Sequence, residues 1–122
     1  MSLTNWLEQP DLKTATVKVP EWGEDASIEL QEMSVAVRAD FETDVMGRGL
    51  YLEDNKVNEA QWRKQWQSLV VAYSLKNTDG MLRTDIADKL MTKNGRIIRR
   101  LYLQADKLSL VSSEAHEDAA KN

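Results

Sequence analysis

The chain has no cysteine, one histidine and one phenylalanine, two prolines and five glycines in 122 residues. Without cysteine there is no disulfide, no thiol nucleophile and no Cys-based zinc site. The one histidine, His116, lies in an acidic segment near the end of the sequence, where a lone exposed imidazole reads as inert surface. Nothing resembles a Gly-x-Ser-x-Gly elbow, a phosphate loop or a dinucleotide fingerprint. Any metal would have to be held by oxygen alone, and no EF-hand spacing occurs. Carboxylates number twenty, so chance pairs are expected and a catalytic pair is not. No apolar run approaches the ~20 residues of a membrane span. Residues 1–8 lack the basic and apolar regions of a signal peptide. These absences lead to the expectation of a soluble, non-enzymatic protein with no cofactor and no metal.

What is present suits one domain, since a chain of 122 residues can bury a core without staples. The net charge of −4 hides an asymmetry. Residues 1–54 carry twelve acidic and four basic side chains, whereas residues 83–107 carry seven basic and three acidic. Two readings follow: a solvated surface with segregated charge, or head-to-tail self-association steered by charge and weakened by salt.

Two short runs alternate in polarity around Val19-Pro20-Glu21-Trp22-Gly23. Ala15, Val17 and Val19 share one side of the first run; Ala26, Ile28 and Leu30 share one side of the second. Alternation on both flanks of a Pro/Gly turn predicts a β-hairpin over 13–31. Residues 1–12 are expected to be a lead-in that lies on the surface or frays.

The period then changes. A first helix is expected over 34–45, with Ser34 as N-cap and Val35, Val37, Phe41 and Val45 at helical spacing. Gly47 is a candidate to end it in the left-handed position. The clearest element is a second helix. Asn58 with Gln61 resembles a capping box, and Trp62, Trp66, Leu69, Val70 and Tyr73 form one apolar stripe, with Gln65 and Ser68 off it. Asn77-Thr78-Asp79-Gly80 stops it. A third helix is expected over 85–91 with Thr84 as N-cap, and a fourth over about 96–108 with Ile97, Ile98, Leu101, Ala105 and Leu108 inward. Ser112-Ser113-Glu114 can start a last short helix. The expected architecture is α+β, mainly α: one domain over 13–122, with a hairpin and then four to five helices over 34–120.

Candidate partner-binding residues follow from cost and charge. Trp22 and Pro20 are bulky residues placed in a turn, and Trp6 is a large aromatic in the lead-in. Trp22 could equally fold back on Val17 and Ile28. Arg96, Arg99 and Arg100 form a basic cluster that could meet an acidic partner; phosphate tracking is disfavoured by the acidic whole.

The hairpin phrase Val19-Pro20-Glu21-Trp22-Gly23, the helix entry from Ser34 to Phe41, the run from Leu69 to Leu75 leading into Asp79-Gly80, and the closing Lys121-Asn122 together resemble the tail assembly chaperones of long-tailed (siphovirus-type) bacteriophages. The chain departs from family habit at Glu24-Asp25 and at the more basic Lys93-Asn94-Gly95-Arg96. The resemblance implies a late protein of the host cytoplasm, absent from the finished virion. It implies binding to the tape measure protein, a long helical ruler, while tail tube subunits polymerise around it. It further implies a longer frameshifted form that recruits the major tail tube protein. Competing readings are a structural head–tail connector or tail-completion protein, and a small helical nucleic-acid-binding regulator. The resemblance can be checked in the gene. Codons 121 and 122 are expected to form an adenine run ending in a pyrimidine, with a longer −1 product on expression. A single product of one length removes the frameshift expectation.

Overall fold

The computed structural model describes residues 2–111, so His116 and the helix expected from Ser112-Ser113-Glu114 lie outside the described residues. A two-stranded antiparallel hairpin is followed by four helices, an α+β arrangement that is mainly α. The elements are α1 (Leu3–Glu8), β1 (Thr14–Lys18), a 3-10 turn (Pro20–Trp22), β2 (Ser27–Gln31), α2 (Val35–Gly47), α3 (Glu59–Tyr73), α4 (Arg83–Leu90) and α5 (Gly95–Ser109).

The lead-in is not irregular. Ser2 accepts a hydrogen bond from the Asn5 amide at 3.4 Å, and the Gln9 amide closes the turn on the Trp6 carbonyl. This makes α1, none of whose residues is buried. The hairpin forms as the alternation predicts. Ala15 faces Leu30 and Val17 faces Ile28 across the ladder, with Leu30 and Val19 wholly buried. The far side of β2 is also engaged: the Gln31 amide donates to the Ser74 carbonyl at 2.7 Å, and the Lys76 amide to the Glu29 carbonyl at 3.0 Å. The hairpin is thereby welded to the end of α3.

Ser34 caps α2 as expected, its hydroxyl accepting from the Val37 amide at 3.2 Å. Val35 does not join the apolar face; it is 91% exposed in the first turn, and Phe41 and Val45 do the burying. The left-handed residue after α2 is Gly49, at φ 75°, not Gly47, because the helix runs two residues further and Arg48 caps it.

Asn58 caps α3 through the Gln61 amide at 3.4 Å. The reciprocal half of the capping box is not made, since the Asn58 amide donates to the Leu50 carbonyl and Gln61 Oε1 accepts from Gln65 Nε2. From Ser68 to Ser74 every residue of α3 and its cap is buried, because α2, α4 and α5 all pack on it. Gln65 and Ser68, off the apolar stripe, are therefore buried as well. Trp62 stacks on Trp66 at 3.9 Å, and Phe41 meets both Trp66 and Tyr73 edge to face at 5.4 and 5.6 Å. Such geometry adds to what burial alone contributes.

α4 begins two residues earlier than Thr84 capping would allow. Leu82 is the N-cap and makes no side-chain cap, while the Thr84 hydroxyl and carbonyl both accept from Arg48. Arg83 donates to the Ala72 and Leu75 carbonyls, both at 2.9 Å, and so satisfies the end of α3. Asn94 caps α5 through the Arg96 amide at 2.9 Å. Ile97, Ile98, Leu101 and Ala105 are buried, with Leu108 and Tyr102 half-buried beside them. α5 ends at Leu110, a leucine in the left-handed region at φ 54°, which costs about 1 kcal/mol relative to glycine.

Two predictions follow from the packing. Phe41→Ala, emptying the space between Trp66 and Tyr73, is expected to cost about 3–5 kcal/mol in urea unfolding. The Ser74 hydroxyl is fully buried and has no hydrogen-bond partner among the described residues, so Ser74→Ala is expected to hold stability or raise it by up to about 1 kcal/mol. A loss of more than about 1 kcal/mol in Ser74→Ala contradicts this.

Candidate partner-binding surface

The turn between β1 and β2 has two faces. Pro20, with its φ preset, opens the single 3-10 turn. Its ring lines an open cleft of about 280 Å³ together with Thr16, Lys18, Glu24, Asp25, Ala26 and Ser27. Trp22 turns the other way. It is half-buried against a cluster formed by Val19, Val71, Ile97 and Leu101, alongside Val17 and Ile28. Trp22, Val17 and Ile28 thus pack against the same buried cluster, and the indole belongs to the core side of the turn.

Between them, Glu21 reaches α5. Arg100 grips its carboxylate with both terminal nitrogens, at 2.8 and 3.0 Å, and also donates to the Lys18 carbonyl. The hydrogen bonds from Arg100 hold the Glu21 carboxyl below its ordinary range. The pair is half-exposed, so it fixes the direction of the turn more than it stabilises the fold.

The structure thus brings Pro20, Trp22 and Arg100 together at the hairpin tip. Arg100 is tied to the hairpin tip, while Arg96 and Arg99 stand exposed on α5. Trp6 sits apart on α1, 59% exposed. The cleft beside Pro20 brings one ammonium, Lys18, together with two carboxylates, Glu24 and Asp25. Among the described residues, no group of three or more His, Asp or Glu side chains is placed to hold a metal ion.

A polar cluster that the sequence pattern did not disclose lies where α2, α3 and α4 meet. Arg48 donates to Asp44 at 2.7 Å, to Gln65 at 3.1 Å, to Asp88 at 2.8 Å and to the Thr84 hydroxyl and carbonyl. Tyr73 donates to the second oxygen of Asp44 at 2.7 Å. Burial and the bond to Asp44 push the Tyr73 hydroxyl well above its ordinary range. Burial works against the Asp44 carboxylate, but hydrogen bonds from Tyr73, Arg48 and Thr84 outweigh it and hold the group below its usual value. The signal in sequence is Asp44-x-x-x-Arg48, an i,i+4 pair interrupted by Gly47 and so read as helix end followed by loop.

No family model, curated protein or solved structure matches the chain. The class that stands is that of the fold itself, a mainly α domain of the α+β type behind an N-terminal hairpin.

Trp22→Ala is expected to lower the melting temperature by about 5–10 °C, matching the loss of about 2 kcal/mol from a half-buried indole. An unchanged melting temperature places the indole outside the core. Asp44 sets the acid limb. Its folded pKa is depressed, so its contribution is complete above the unfolded carboxylate range near pH ~4 and is lost as pH falls through the folded value. Asp44→Asn is expected to lower the urea midpoint at pH 7 and to flatten its decline below pH ~4. An equally steep decline in the variant contradicts the assignment.

Proposed function

We propose that the chain is a tail assembly chaperone of a long-tailed bacteriophage, acting without catalysis. It binds the tape measure protein and keeps that helical ruler soluble while tail tube subunits polymerise around it. The observation that carries the reading is Val19-Pro20-Glu21-Trp22-Gly23 closing a hairpin directly ahead of a helical domain, the motif and order on which the resemblance rests. The major tail tube protein joins through a longer, frameshifted form. The protein works in the host cytoplasm and does not enter the virion.

Physical considerations support this role. A tape measure protein carries long apolar helical stripes that aggregate unless covered, and a small helical domain covers such stripes by laying apolar anchors against them. Acidic exposed residues keep the resulting complex in solution. Many copies along one ruler gain avidity from effective concentration, so each contact can be weak. Pro20 and Trp6, with Arg96 and Arg99 for acidic segments, are the residues offered for contact, while Trp22 and Arg100 hold the hairpin tip that presents Pro20.

The test is an affinity pull-down of tagged protein from lysate during late phage production, run beside purified virions and read by mass spectrometry. Tape measure protein in the pull-down with no copies in the virion is the expected result. Presence in the virion replaces the reading with a connector or tail-completion subunit. Recovery of DNA-associated proteins alone replaces it with a nucleic-acid-binding regulator.

A further inference from the structure

α4 and α5 are joined by residues 91–94, and both helices pack on α3. The join is tight. The Thr92 amide and hydroxyl donate to the Lys89 carbonyl, the Lys93 amide donates to the Leu90 carbonyl, and Asn94 caps α5. Three helices in this order, with a short turn between the second and third, form the arrangement in which a helix-turn-helix unit lays its last helix in the major groove of DNA. Burial of Ile97, Ile98, Leu101 and Ala105 against the domain turns the opposite face of α5 outward. That face exposes Arg96, Arg99, Gln104 and Lys107, and Lys89 and Lys93 stand exposed at the turn before it. Gly95, the first residue of α5, adds no bulk there: no atom lies within 4 Å of where its Cβ would stand.

The acidic composition disfavours phosphate binding for the chain as a whole, but the structure separates the signs. From Lys89 to Lys107 there are six basic side chains and one acidic, Asp106. Arg100 holds Glu21, which neutralises the hairpin carboxylate beside α5. Asp88, the acid of α4 nearer the turn, is held by Arg48, and Asp85 lies in the first turn of α4, at the end away from α5. Lys89, Lys93, Arg96, Arg99 and Lys107 enter no side-chain hydrogen bond or ion pair among the described residues. Like charges left unpaired along one element repel one another, and a polyanion relieves that repulsion.

The geometry points to double-stranded DNA as a ligand of the turn and outer face of α5. A helix is about 10–12 Å across and the major groove about 12 Å wide, so α5 fits it lengthwise. The basic groups run along α5 for about 20 Å, and a duplex offers one phosphate charge per ~1.7 Å of axis, a continuous array that the scattered carboxylates of a folded protein do not match. The lysines and arginines bind phosphate. Gln104 and the exposed Leu103 face base edges, where an amide pairs with adenine and an apolar group meets the thymine methyl. This second activity goes beyond the chaperone reading and does not rest on it; the two contact sets overlap only at Arg96 and Arg99. Binding carried by phosphate contacts is weak, with Kd on the order of 10⁻⁴–10⁻⁶ M, and falls steeply with salt.

The experiment is fluorescence anisotropy of a short labelled DNA duplex titrated with the full chain between ~50 and ~200 mM salt. The wild type is expected to bind, with log K falling against log salt at a slope of about −4.5, one step for each of the unpaired basic groups. The double variant Arg96→Gln/Arg99→Gln is expected to bind about tenfold more weakly and to make the slope shallower by about 2. Lys13→Gln/Lys18→Gln removes the same charge from the hairpin and is expected to leave affinity within about twofold. Thermal unfolding checks that both variants, altered only at exposed positions, keep the fold. No binding by the wild type at ~50 mM salt overturns the proposal. So does equal weakening in the two variants, which assigns the attraction to overall charge. Two competitors test the wild type alone. Poly-L-glutamate that displaces the duplex at equal charge concentration overturns the proposal in favour of an acidic polypeptide. A single strand of the same length bound as tightly as the duplex overturns the placement in a groove.

Discussion

The rest of the structure depends on the Arg48 guanidinium. α3 is buried from Ser68 through Ser74, and an all-round buried helix forces its neighbours to satisfy polar groups as well as apolar ones. α2 ends at Gly47, α4 begins at Arg83, and Gln65 faces the space between them. Arg48 fills that space and donates to groups on all three helices, with Tyr73 closing the remaining oxygen of Asp44. A planar fork with five donors fits such a junction, whereas an ammonium does not. Arg48 is partly withdrawn from water and contributes through its hydrogen bonds, and shortening it leaves Asp44, Gln65 and Thr84 without this donor.

Around this junction the molecule divides its work. One side is apolar and aromatic, with Phe41, Trp62, Trp66 and Tyr73 setting how α2 lies on α3. The other side joins the hairpin to the helices by three short links: Gln31 to Ser74, Lys76 to Glu29, and Arg100 to Glu21. The result is a hairpin tip tied to the helices, with Trp22 inward and Pro20 lining an open cleft, on a domain whose short α1 has no buried residue. Partner-binding surfaces of small domains follow this pattern: a fixed frame, with apolar residues in water at its edges.

Much of the fold was legible because its signals are local. Alternation around Pro20 and Gly23 marks a hairpin whatever packs on it, and the spacing of Trp62, Trp66, Leu69, Val70 and Tyr73 marks a helix. Ser34, Asn58 and Asn94 lie where capping chemistry puts them, although the sequence pattern marks only the first two as caps. What was not legible depends on tertiary partners. Thr84 looks like an N-cap until Arg48 takes its hydroxyl. Gln65 and Ser68 look solvated until α2, α4 and α5 pack on α3. Val35 looks like core because it fits the period, but the first turn of α2 overhangs the domain. Of the candidate surface, the bulky turn residues and the arginine cluster were visible. That Arg100 serves the hairpin while Arg96 and Arg99 do not could be decided only by the direction of Glu21. The exposed apolar face of α1 was hidden because so short a helix gives little periodic signal.

The account places one guanidinium at the meeting of α2, α3 and α4, and its geometry rather than its charge is what matters. The most direct test is the stability of Arg48→Lys by urea unfolding at neutral pH. A loss of about 2–4 kcal/mol with an unchanged m-value is predicted, because lysine keeps the charge and loses the fork. Stability within about 0.5 kcal/mol of the parent would show that a point charge suffices there, and would contradict the account.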